Sequence, residues 1–132
     1  MGARRLIGAA GGALALALAG CGATPPQPPR PEADRLTNAL WAIASACADA
    51  REIQTFTNDP REITLAEHQA EQQVPVLAHV YRRNPSWIFQ GKSVGELVSM
   101  SSTLLDDCGL HLAARRLRQV TRAIGPAGRG QG

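Results

Sequence analysis

The chain has no stretch in which apolar and polar residues alternate with period two beyond a few positions, so no segment reads convincingly as a strand. Its histidines, His68, His79 and His111, are far apart and form neither HxxxH nor HExxH, and its cysteines include no CxxC. Zinc sites draw on closely spaced Cys and His, so no metal is expected. GxSxG, a glycine-rich phosphate loop and a recognisable Ser/His/Asp set are all missing. Asp106 and Asp107 are adjacent, but neighbouring carboxylates at a helix end face different directions and suit general acid–base work poorly. These absences argue against an enzyme and against a bound cofactor. Lysine is almost missing as well: Lys92 is the single lysine among 14 cationic side chains, a composition bias without functional weight.

No apolar run reaches the roughly 20 residues that a spanning helix needs. The longest, Leu6 to Ala19, is about 14 residues, carries no charge, follows Arg4 and Arg5, and ends in the small residues Ala19 and Gly20. A positive start, a short apolar core and small residues before a cut are the grammar of a secretory signal peptide. Within that frame, Leu18-Ala19-Gly20-Cys21 resembles the lipobox of bacterial lipoproteins. The resemblance covers residues 1–21. It implies cleavage before Cys21, a diacylglycerol on the Cys21 sulfur and usually a third, palmitate-type chain on the new amino group. It also implies a place in the cell envelope: on the outer face of the cell membrane, or on the outer membrane where the host has two membranes. Gly22, a residue other than Asp, fits the pattern sorted to the outer membrane. Each buried CH₂ contributes about 0.8 kcal/mol, so two or three chains anchor durably where one would not.

Without residues 1–20 the chain has 112 residues and its formal charge falls from +3 to +1. That length suits one domain. A near-neutral domain lacks the basic face that phosphate neutralisation requires, so nucleic acid is not an expected partner. Once Cys21 carries lipid, Cys47 and Cys108 remain. Outside the cytoplasm thiols oxidise, and a Cys47–Cys108 disulfide is the expected outcome, with two free buried thiols as the alternative.

Half of Gly22 to Pro31 is proline, which reads as a polyproline-type spacer of roughly 30 Å when extended. Residues 21–31 therefore form the lipidated Cys and tether, and 32–124 the folded domain. A first helix should begin near Pro31, with Glu32 and Asp34 complementing its positive end. Leu36, Leu40, Ile43, Cys47 and Ala50 make one apolar stripe running to about Phe56. Asp59-Pro60 and Thr64-Leu65-Ala66-Glu67 compete as starts for a second helix, and the capping box at Thr64 is favoured as the main one. Pro75 predicts a kink or break around Gln72–Val74. Asn84-Pro85 ends this helix. Trp87-Ile88-Phe89 and a turn at Gly91 follow, and then a capping box, Ser93-Val94-Gly95-Glu96. The next stripe ends at Cys108, with Gly109 as C-cap. A last helix from near Leu110 should stop at Gly125-Pro126, leaving 125–132 as a disordered glycine-rich tail.

The expected fold is all-α: a small antiparallel bundle of about four helices with one disulfide. Two surfaces stay open to alternative readings. Arg115, Arg118 and Arg122 form either an ordinary solvated face or a contact with anionic headgroups. Trp87, Ile88 and Phe89 either cover the core or present an apolar patch to a partner. The function expected is that of a lipid-anchored, non-enzymatic protein-binding or structural module, touching the membrane through Cys21 and binding another envelope protein. A small-molecule or lipid-binding module is the alternative.

Overall fold

A computed structural model describes residues 26–131. The expected signal peptide, the expected lipidation site Cys21 and the first part of the expected spacer lie outside the described residues. Five helices and one small hairpin follow one another: α1 (Arg30–Phe56), α2 (Pro60–Glu71), α3 (Val74–Arg83), β1 (Ile88–Phe89), β2 (Lys92–Ser93), α4 (Val94–Asp107) and α5 (His111–Gln131). The fold is an all-α bundle of four arms, because α2 and α3 are one arm broken in two. The break falls at Gln72 and Gln73, and Pro75 then occupies the first turn of α3, where its missing N–H costs nothing.

Residue chemistry places most of the helix ends. Pro31 stands in the first turn of α1. Asn58, with φ 49°, turns the chain out of α1; asparagine tolerates that left-handed conformation better than most residues. α2 starts at Pro60, not at the favoured Thr64. The Asp59 carboxylate accepts the Arg61 N–H at 2.9 Å, and a proline is already preset for the helix. Thr64 instead returns its hydroxyl to the Pro60 carbonyl at 2.8 Å from inside the helix. α4 opens with the expected capping box. Ser93 Oγ accepts from Glu96 N–H, and Glu96 Oε1 accepts from Ser93 N–H, each at 3.0 Å.

α4 ends in a Schellman motif. Leu110 N–H donates to Leu105 O and Gly109 N–H to Asp106 O, with Gly109 at φ 88°. Leu105 and Leu110, the two residues such a motif brings together, are both fully buried. α5 begins at His111 and continues through Gly125-Pro126 to Gln131, so the expected stop and disordered tail are corrected over the described residues. A proline within a helix removes one rung of the ladder and strains the turn before it, which weakens the helix without necessarily ending it.

The core lies between all four arms. Leu36 and Ile43 of α1, Leu77 of α3, Leu105 of α4, Leu110 beside the Schellman turn and Leu117 of α5 are its largest fully buried residues. α1 and α2 meet through small side chains. Ala39, Ala46 and Ala50 face inward from one, Ala66 and Ala70 from the other, so the two backbones can approach closely. The Cys47–Cys108 disulfide is formed, with Cα atoms 5.5 Å apart. It ties the middle of α1 to the end of α4.

Two expectations fail near the start of α1. β1 and β2 pair antiparallel, Ile88 with Ser93 and Phe89 with Lys92, around Gln90 and Gly91. Both turn residues have positive φ, 55° and 83°, as a two-residue type I′ hairpin requires. Strands of two residues cannot display period-two alternation, so the pattern had nothing to reveal. The spacer also joins the fold earlier than expected. Pro26 O accepts the Ile88 N–H at 2.8 Å, and Gln27 and Pro28 lie along the hairpin beside Ala33. Residues 26–31 thus belong to the domain and not to the expected tether; the residues before Pro26 lie outside the described ones.

Candidate functional site

The up-and-down course of the arms gives the bundle two ends. The hairpin end gathers Pro26, the start of α1, the end of α3 and the hairpin itself. The disulfide end gathers the α1–α2 turn, Cys108 and the start of α5.

At the hairpin end, Glu32 is only 4% exposed although it is charged. Arg83 Nη1 donates to its Oε2 at 2.9 Å. Arg35 and His79 stand at 3.8 and 4.0 Å from the same oxygen, and Arg35 Nη1 lies 3.2 Å from His79 Nε2. The Arg83 guanidinium also sits 5.9 Å from the centre of the Trp87 ring. A buried carboxylate demands such company, because desolvating an unpaired charge is expensive. The cluster ties α1 to α3 and to the hairpin. Read from the sequence, Glu32 looked like a simple complement to the helix dipole. Arg35 is one turn away on the same helix, but Arg83 and His79 are about 50 positions away, and no local pattern announces them.

Trp87 is 9% exposed and belongs to the core, with Phe89 partly buried against it. Ile88 is half-buried. Of the two readings of this segment, the structure has the core-covering one. The three arginines of α5 part company. Arg115 and Arg122 are exposed. Arg118 pairs with Asp106, which also accepts from His111 Nδ1 at 2.9 Å. Asp106 is therefore not simply solvated.

Arg118 and Arg122 line a groove of about 320 Å³ between α4 and α5, with Tyr81 and Gly95 toward the hairpin end and Ser102 and Thr121 further along. The two hydroxyls return to their own helices: Ser102 Oγ donates to Val98 O and Thr121 Oγ1 to Leu117 O. On the other side of α5, Arg116 Nε lies 2.7 Å from Glu71 Oε2. Glu67 of α2 accepts the Ala113 N–H at 2.7 Å and so occupies the positive start of α5.

A second groove, of about 270 Å³, runs between α1 and α2 toward the disulfide end and is lined by Asp49, Glu52, Glu62, Ile53 and Leu65. Leu65 is 64% exposed, and Phe56, one turn beyond Ile53, is 77% exposed. Trp41, further along α1, is 72% exposed. The sequence does not announce these bare side chains, because an apolar residue at a helix end or start looks the same whether it is covered or bare.

Among the described residues no three His, Cys, Asp or Glu side chains come together as a metal site, and no helix is long and apolar enough to cross a membrane. Compared with known proteins, the chain matches no family model, no curated protein and no solved structure.

Proposed function

We propose that the protein is a lipid-anchored component of the cell envelope, held by Cys21, whose bundle works without catalysis as a protein-binding or structural module. Two features support the anchoring. Leu18-Ala19-Gly20-Cys21 has the form of a lipobox, and the Cys47–Cys108 bridge suits an oxidising compartment. The observation that carries the binding role is the acid-lined groove between α1 and α2, with Phe56 and Leu65 bare beside it. Large exposed apolar side chains next to a charged rim are typical of surfaces that partners cover.

Intact mass tests the anchor. The mature protein should begin at Cys21 and carry acyl mass, and Cys21→Ser should accumulate as precursor or be released. A photo-crosslinking residue at Phe56 or Leu65, placed in the lipidated protein in cells, tests the role. One discrete adduct from these positions, and none from exposed Thr37, is expected. Equal labelling from all three would remove the groove from consideration. The groove between α4 and α5 favours a second reading, a small-molecule or lipid-binding module, since Arg118 and Arg122 could hold an anionic ligand there. Arg122→Gln would then abolish ligand binding and leave the Phe56 adduct intact.

A further inference from the structure

We propose that the hairpin end of the bundle rests on the anionic surface of the bilayer, with the acid-lined groove held away from it. The inference builds on lipidation of Cys21 and adds an orientation to it. Pro26 is already fixed to the hairpin through its bond to Ile88. Four residues separate Cys21 from Pro26, and the five steps between them span at most about 18 Å at about 3.6 Å per step. The tether therefore keeps the hairpin end within about 18 Å of the anchored sulfur, and the charges decide which way the rest of the domain lies.

The charges follow the same axis. At the hairpin end the acids are already engaged: Glu32 with Arg83, Asp34 with Arg30, and Glu96 in its capping box. Arg82 and Lys92, both exposed, have no ion-pair partner among the described residues. Arg122, on the wall of the α4–α5 groove, has none either. Toward the disulfide end the balance reverses. Asp49, Glu52, Glu62 and Asp107 are exposed acids without a bridge among the described residues, against the unbridged exposed cations Arg51 and Arg115, since Arg61 and Arg116 are paired with Asp59 and Glu71.

Phosphate headgroups attract the first set and repel the second. Each basic side chain held at an anionic surface strengthens the contact roughly fivefold at moderate ionic strength. Arg82 and Lys92 together supply a bias of about 25-fold toward the surface-bound orientation. The partner is the bilayer itself. The phosphate could also come from a free ion, and the experiment separates the two.

The acylated full-length mature protein is placed in nanodiscs containing a gadolinium-chelating lipid, either in pure phosphatidylcholine or with a third phosphatidylglycerol. Relaxation of the backbone amides is then compared between Gln90–Lys92 and Thr57–Asn58. On anionic discs at low salt, the hairpin amides should relax at least tenfold faster than the distal turn. Phosphatidylcholine, or high salt, should reduce that contrast severalfold, as should Arg82→Gln with Lys92→Gln on anionic discs. Free inorganic phosphate at millimolar concentration should not reduce it; if it abolished the contrast, the site would bind an ion and not a surface. Equal contrast on the two disc types would overturn the orientation and leave the anchor standing. Faster relaxation at Thr57 would do the same. A mature protein without acyl mass would overturn both. The amide spectra of the double variant should otherwise overlay those of the wild type, which separates loss of contact from loss of fold.

Discussion

The two ends of the bundle are held by different physics. The disulfide end is closed by a covalent bond between α1 and α4 and by the Schellman turn at Gly109, over fully buried Leu105 and Leu110. The hairpin end has a buried carboxylate with its cations, a guanidinium over Trp87, and a backbone bond from Ile88 to Pro26. A covalent link acts mainly by restricting the unfolded chain and is indifferent to salt. Charge clusters act in the folded state and fail once a partner is removed. The domain should therefore be robust at one end and adjustable at the other, and the adjustable end is the one nearest the proposed anchor.

The bridge offers the strongest test. It closes a loop of 61 residues, worth about 4 kcal/mol in the chain-entropy model. Cys47→Ser and Cys108→Ser should each lower Tm by on the order of 15 °C, and the double variant should be no worse than either single one. Two labelled thiols after alkylation of the denatured, unreduced protein would end this account. Next is the carboxylate. Glu32→Gln keeps the size but leaves Arg83 without its charge partner, and should cost about 2 kcal/mol in urea unfolding, less than a fully buried pair because Arg83 is half exposed. A cycle with Arg83→Gln should show strong coupling; additive effects would mean that the pair contributes nothing specific.

Gly109→Ala should cost about 1 kcal/mol or slightly more. Its φ of 88° disfavours a side chain, and an added Cβ would come within 2.8 Å of Gln54 Nε2, which donates to Cys108 O. Thermal unfolding of this variant beside Gly91→Ala separates the two causes, because a Cβ at Gly91 would meet nothing. The smallest effect concerns the spacer. Exchanging residues 22–25 for an unrelated flexible linker should leave Tm unchanged. Deleting 26–29 should cost roughly 0.5–1.5 kcal/mol through the lost Ile88 bond. Equal tolerance of both changes would return the whole spacer to the tether.

Much of the fold was legible because helices write long periodic stripes. The run from Leu36 to Ala50, the break before Pro75, the Ser93 capping box and the Gly109 cap each depend on residues within a turn or two of one another. What escaped depended on distance or on competition. Asp59 and Thr64 are both good caps, and only the following Pro60 tips the choice. The hairpin is too short for a pattern. The Glu32 cluster and the docking of Pro26 join segments about 50 to 60 residues apart. The exposure of Phe56 and Leu65 is a property of what does not pack on them, which one sequence does not encode.

The span enclosed by Cys47 and Cys108 has a further consequence. The exposed turns at Thr57–Asn58, Gln72–Gln73 and Gln90–Gly91 all lie inside it. Such turns are where proteases nick folded domains. A single cut at any of them leaves the two pieces joined through the sulfurs, so α5 stays attached to the segment that leads back to Cys21. The nicked chain should run as one band without reductant and as two with it.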